Sequence, residues 1–236
     1  MAVRALVFDV FGTVVDWRGS IIREGERWKK SHGMAVDWPK FADEWRAGYG
    51  PAMNLVRTGK LPWQSIDSLH RRILDELLEK YRVSGLSEED KRHLNRVWHR
   101  LYPWPDAVAG LTRLKRKYVI ATLSNGNLSL LVNMAKFAGL PWDAVLSAEL
   151  FRHYKPDPEV YRGAALILDV APAECMMVAA HKNDLDAAAR AGLPAAFVAR
   201  PLERGPGVKS QAELAPESRF NYNAVDFLDL AGKLGC

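Results

Sequence analysis

The chain has 236 residues, 48% of them hydrophobic and 26% charged, enough for one large domain or a domain with an insert around an ample core. Its net charge of +5 is spread among acidic residues, as in Arg71-Arg72, Asp75-Glu76 and Glu79-Lys80, the pattern of a solvated helix face; no clustered basic stripe points to nucleic acid. Two cysteines, Cys175 and Cys236, exclude a dense disulfide framework and fit a reducing cytoplasm, no apolar run is long enough to span a membrane, and Asp9 interrupts the early apolar run that a signal peptide would need.

The stretch Ala5-Leu6-Val7-Phe8-Asp9-Val10-Phe11-Gly12-Thr13 runs apolar residues into a carboxylate and then a Gly-Thr turn. It predicts a buried parallel strand with Asp9 at its C-terminal end, where open α/β sheets place their chemistry. The plain alternative is that Asp9 caps a turn. Residues 18–104 read as helical: Phe41, Trp45, Ala52 and Val56 recur at helical spacing, as do Ile66, Leu69, Ile73, Leu77 and Tyr81. Gly59, Pro62, Ser84 and Gly85 mark breaks, and Ser87 opens a further helix with Asp90 three positions on. This predicts an all-helical cap inserted at 18–104 into a core of 1–17 and 105–236, with Tyr102-Pro103-Trp104-Pro105 as the return hinge.

Beyond Asp106 the pattern alternates. Strands are expected at Tyr118–Leu123, Val145–Ser147, Met176–Ala180 and Ala195–Ala199. Helices are expected after Ser124-Asn125-Gly126-Asn127, from Asp157 as N-cap with Pro158 at the first position, and from Asp184 to Ala191 closed by Gly192. Residues 201–220 read as a surface loop, and 223–234 as a final helix or strand–helix unit. The fold class is α/β: a doubly wound, Rossmann-like parallel sheet with an inserted helical cap.

The segments around Asp9, Ser124-Asn125, Tyr154-Lys155-Pro156-Asp157-Pro158 and Asp184 resemble, in order, the four signatures of the haloacid dehalogenase superfamily. Most members carry a second Asp two positions after the nucleophile; here that position is Phe11. The second Asp protonates a departing alkoxide, a poor leaving group, whereas halide leaves without a proton. The form Asp-Val-Phe-Gly-Thr is similar to the L-2-haloacid dehalogenase branch, where Asp-Ala-Tyr-Gly-Thr is typical.

That resemblance implies a role for each residue. Asp9 attacks the halogen-bearing carbon of a small anionic 2-haloacid, and water cleaves the resulting ester to give a 2-hydroxy acid. Thr13 holds the Asp9 rotamer. The Ser124 hydroxyl and the N–H groups after it hold the substrate carboxylate, and Asn125 lines the halide side. Lys155 pairs with Asp9. Tyr161 helps orient the site, and Asp184 positions water and balances Lys155. Arg46, in a Trp45-Arg46 pair in the cap, receives the leaving halide. Read singly, these are turn, cap, packing and surface residues.

One stretch departs from the branch. Where Ser-Ser-Asn-x-aromatic is usual, the chain has Ala179-Ala180-His181-Lys182-Asn183. His181 is expected to take over as base or donor near neutral pH. Asn183 in place of a large aromatic makes the halide side more polar, which brings fluoride into range as a leaving group. Ala180 replaces one of the usual acids of Mg²⁺-dependent relatives, so no metal or cofactor is expected. Relatives are often dimers, so a homodimer is the corresponding expectation. The rival readings are a Mg²⁺-dependent phosphatase and a silent binding protein that kept the fold, the latter supported by the altered 179–183 stretch.

Overall fold

The structure, a computed structural model, describes residues 2–208 and 210–236. The first strand, β1 (Ala5–Phe8), is buried on both faces, as its unbroken apolar run requires. The chain then turns through Gly12 into a two-residue strand, β2 (Val15–Asp16). Four helices follow: α1 (Trp17–His32), α2 (Trp38–Arg57), α3 (Ile66–Lys80) and α4 (Glu88–Asn95). Each opens on a side chain that accepts a free backbone N–H: Asp16 from Gly19, Asp37 from Lys40, Ser65 from Ser68, and Ser87 from Asp90 in a full capping box. Phe41, Trp45, Leu69, Ile73 and Leu77 are buried, so the helical spacing marks the inner face.

The insert returns through β3 (Tyr102–Pro103), which pairs antiparallel with β2. The expected proline hinge is thus one arm of a small ribbon closing both ends of the insert, with Trp104 N–H donating to Val14 O at 3.0 Å. Then come α5 (Ala107–Lys115), β4 (Val119–Ser124), α6 (Leu128–Ala138), β5 (Ala144–Ser147), α7 (Pro158–Ile167), β6 (Cys175–Ala179), α8 (Lys182–Arg190), β7 (Ala195–Val198), α9 (Gln211–Leu214), β8 (Tyr222–Ala224) and α10 (Phe227–Lys233). The end of the chain is therefore a strand–helix unit, and Asp226 caps its helix by accepting Asp229 N–H.

The main sheet has six parallel strands in the order β5-β4-β1-β6-β7-β8. The order reverses at β1, which has β4 on one side and β6 on the other. Parallel register lines up Phe8 with Thr122 and with Val178, so residues following β1, β4 and β6 emerge on one rim. Phe8 packs between Trp142 and Phe227, at ring separations of 5.3 and 5.6 Å. Several polar contacts tie the helical insert to the sheet, among them ones made by Asn127, Asn133 and Tyr154. Arg57 pairs with Asp157 at 2.5 Å, and Asn127 Nδ2 donates to Asp67 at 2.9 Å.

Two boundary expectations shift for physical reasons. Asp157 precedes α7 but makes no capping bond: its carboxylate takes the Arg57 guanidinium instead, a charge-assisted contact stronger than a backbone cap. Helix α8 begins at Lys182 with His181 at the N-cap, two residues before Asp184. Asp184 thus lies inside the first turn, with its side chain free to face the site rather than cap the helix.

Candidate active site

Asp9 follows β1, and its N–H extends the sheet by donating to Val178 O at 3.0 Å. Its carboxylate is buried and held from three sides. Lys155 Nζ donates to Oδ1 at 2.9 Å, Thr13 Oγ donates to Oδ2 at 2.7 Å, and His181 Nδ1 lies 3.0 Å from Oδ2. Burial raises its pKa, but Lys155 and His181 outweigh that and hold Asp9 well below the usual carboxylate range. Thr13 in turn accepts Ala180 N–H at 2.9 Å, so the backbone of the altered stretch still braces the nucleophile.

Lys155 precedes α7 and its ammonium bridges two carboxylates, reaching Asp184 Oδ2 at 2.5 Å as well as Asp9. Burial disfavours its charge, yet Asp184 and Asp9 more than compensate, so it is held above the ordinary lysine value. Tyr161 donates to the other Asp184 oxygen at 2.5 Å. Burial and the nearby Asp9 charge lift Asp184 above its ordinary range. Asp9 is therefore the more acidic of the pair. Asn125 Oδ1 accepts Lys155 N–H at 2.7 Å, so it positions the Lys155 backbone besides lining the cavity.

A cavity of about 770 Å³ opens over this cluster. Its wall includes Asp9, Phe11, Asn125, Lys155, Tyr161, His181, Asn183 and Asp184, with Arg46, Tyr49 and Met53 from α2. The Arg46 guanidinium lies 4.4 Å over the Tyr49 ring and 5.9 Å over Trp17, and among the described residues it has no carboxylate partner. Phe11 stands edge-on to Tyr49, His70 and Trp98 at 5.7–6.4 Å. His70 stacks on Trp98 at 4.1 Å and stays neutral, burial pushing its pKa down to about 3.

Two of the expected site residues do not line the cavity. Ser124 is fully buried and does not reach the cavity wall; its hydroxyl accepts Gly126 N–H at 3.2 Å. Thr13 is likewise buried behind Asp9 and acts on the carboxylate. Asp186 faces away from the site and pairs with Arg219 at 2.9 Å.

Sequence reasoning missed Glu203. It lies in the stretch read as surface loop, yet it is 3% exposed and reaches His181 Nε2 at 2.9 Å. Trp17 Nε1 donates to the same Glu203 oxygen at 3.3 Å. Arg200, just after β7, fixes this loop: it forks onto Asp106 at 2.8 and 2.9 Å and donates to Thr13 O at 2.8 Å. Gly12, at φ +82°, makes the approach possible, because a Cβ there would lie 2.1 Å from Glu203 Oε1. The available signal was position: Glu203 follows the C-terminal end of a parallel strand.

His181 is thus clamped between two carboxylates. Burial works against the imidazolium, but Glu203 and Asp9 prevail and push its pKa up to about 9. A pKa raised in the folded state stabilises the fold fully below the unfolded value near 6.5, and that stability is lost as pH rises through about 9. The urea midpoint is therefore expected to fall between these two pH values, and His181→Gln to flatten that slope.

The chain matches the family model of haloacid dehalogenase-like hydrolases over residues 3–192 and belongs to that family. It is 31% identical over 198 residues to (S)-2-haloacid dehalogenase 1 of Pseudomonas sp. (strain CBS-3), covering 80% of this chain and 82% of that one. Among solved structures it is similar to an L-2-haloacid dehalogenase at 48% identity and TM-score 0.94, covering 99% of each chain. A defluorinating L-2-haloacid dehalogenase is 44% identical with TM-score 0.95, covering 99% of this chain and 96% of that one. Among the described residues no helix is long and apolar enough to cross a membrane.

Proposed function

We propose that the protein hydrolyses short 2-haloacids to 2-hydroxy acids through an ester on Asp9, in a reducing cytoplasm. The observation that carries this is the pairing of an ionised Asp9 with Phe11 two positions on. Lys155 and His181 keep the nucleophile charged, while the place where a phosphatase needs a proton donor is filled by a ring packed among Tyr49, His70 and Trp98. Asp9 attacks the carbon bearing the halogen from behind, the C–O bond forms as the C–X bond breaks, and the carbon is inverted. Arg46, with no carboxylate of its own, supplies a cation where the halide's charge develops. Water then attacks the ester at the Asp9 carboxyl carbon, with Lys155 beside the forming oxyanion and Asp184 fixing Lys155.

The test is halide release from fluoro-, chloro- and bromo-substituted acetate and propionate, with and without EDTA. Chloride and bromide release unaffected by EDTA is expected, with slower fluoride release from fluoroacetate. The polar Asn183 and His181 at the wall and the likeness to a defluorinating neighbour support that last outcome. Mg²⁺-dependent cleavage of an aryl phosphate without halide release would overturn the reading.

A further inference from the structure

We infer that Glu203 and His181 form a base that is switched on only by the ester: Glu203 fixes the ring so that its Asp9-facing nitrogen is blocked while Asp9 is a free carboxylate and becomes available once Asp9 is esterified. The inference rests on the ester reading above. Its geometric basis is the linear order Asp9 Oδ2, His181 Nδ1, His181 Nε2, Glu203 Oε1, with contacts of 3.0 and 2.9 Å at the two ring nitrogens. Glu203 has its own anchors: Trp17 Nε1 donates to the same oxygen and Arg200 fixes its loop, while Gly12 leaves it room. The ring is therefore oriented from its Nε2 side whatever happens at Asp9.

With Asp9 and Glu203 both anionic, both ring nitrogens carry protons, each donated to a carboxylate. A doubly protonated ring cannot take a proton from water. Ester formation removes the charge on Asp9. Nδ1–H loses its anionic acceptor, while Nε2–H keeps Glu203, so the proton on Nδ1 leaves to the solvent in the cavity and its lone pair faces the ester. Water then gives a proton to Nδ1 and its oxygen to the Asp9 carboxyl carbon. As the tetrahedral intermediate collapses, the departing product oxygen takes that proton. The proton left on the regenerated carboxyl passes to Nδ1 and restores the starting state. The sum is one haloacid and one water giving one hydroxy acid, one halide and one proton.

Among the described residues, the charged groups around the ring include Asp9 after β1, Glu203 after β7, Lys155 and Asp184 beyond Asp9, and Asp16 beyond Glu203, with Arg18, Arg46 and Arg204 on the wall of the same cavity. Lys182, its neighbour in α8, is turned away onto Glu217 at 2.5 Å. Of these only Asp9 changes charge during the reaction. The raised pKa of His181 in the free enzyme agrees with the blocked state.

The order of proton release separates this scheme from a passive histidine. Stopped-flow with a pH indicator near pH 7.5, beside quenched-flow halide and ester mass, resolves it on the full chain. In the unsubstituted protein one proton per site is expected with the halide burst, before ester cleavage. In His181→Asn the halide burst remains, the proton appears only with ester cleavage, and cleavage slows by about 10²-fold. Glu203→Gln, which preserves the shape against Gly12, is expected to slow cleavage by about 10- to 100-fold and to shift the pH dependence of that step. Proton release with ester cleavage in the unsubstituted protein would overturn the inference, as would cleavage at full rate in both variants. A missing halide burst or ester would instead overturn the ester reading itself.

Discussion

Asp9→Asn is expected to abolish halide release, with a loss on the order of 10⁴-fold or more, as for other nucleophiles that form a covalent intermediate. An amide is a poor nucleophile, and the neighbouring carboxylate of Asp184 is tied to Lys155 and Tyr161. The fold is expected to survive. Asn keeps the side-chain shape and an oxygen for Lys155, and its NH₂ can donate to the Thr13 oxygen and to a deprotonated His181 Nδ1. The measurement is halide release beside intact-protein mass under single-turnover conditions. Halide below detection and no ester adduct are expected, and residual release above about 1% of the unsubstituted rate would contradict the role of Asp9.

Lys155→Met has the second largest expected effect, and it falls on both activity and stability. The ammonium is 7% exposed at its side chain and bridges Asp9 and Asp184 at 2.9 and 2.5 Å. Removing it leaves two buried carboxylates facing each other with no cation between them. Breaking a buried pair in this way costs about 3 kcal/mol, which the urea midpoint reads directly. The Asp9 pKa then rises toward its ordinary value and beyond, so the activity that remains is lost first at the acid end of the pH range. At neutral pH the rate is expected to fall by about 10²- to 10³-fold, the size of losing one stabilising donor at a developing oxyanion. Lys155→Arg is not expected to restore it, because a planar guanidinium cannot occupy a gap sized for one ammonium. Unchanged pH dependence in Lys155→Met would contradict the coupling.

Much of this site could be read from the sequence because its carriers are local. An unbroken apolar run, a carboxylate and a glycine turn place Asp9 at a strand end without any tertiary information. The same holds for Lys155 before a Pro-started helix and for the cap helices, whose inner faces follow simple spacing. What stayed hidden depends on side-chain direction and on contacts distant in sequence. Ser124 stands at the expected strand end, yet its hydroxyl turns onto Gly126 N–H, because a strand end fixes where the backbone is and not where a side chain points. Asp157 reads as a helix cap and instead takes Arg57 from α2, since a charge-assisted fork outcompetes a backbone N–H. Glu203 sits in a stretch whose composition reads as loop. Its burial is set by the Arg200–Asp106 fork and by the space at Gly12, neither of which leaves a local pattern.

The covalent route is tested most directly by oxygen tracing in one turnover. Enzyme in excess over a 2-chloroacid is run in H₂¹⁸O, and both the product and the Asp9 peptide are weighed. Attack by Asp9 followed by water at the carboxyl carbon predicts unlabelled hydroxyl oxygen in the product and one ¹⁸O on Asp9. Label in the product and none on Asp9 would contradict it, because water would then have reached the halogen-bearing carbon itself.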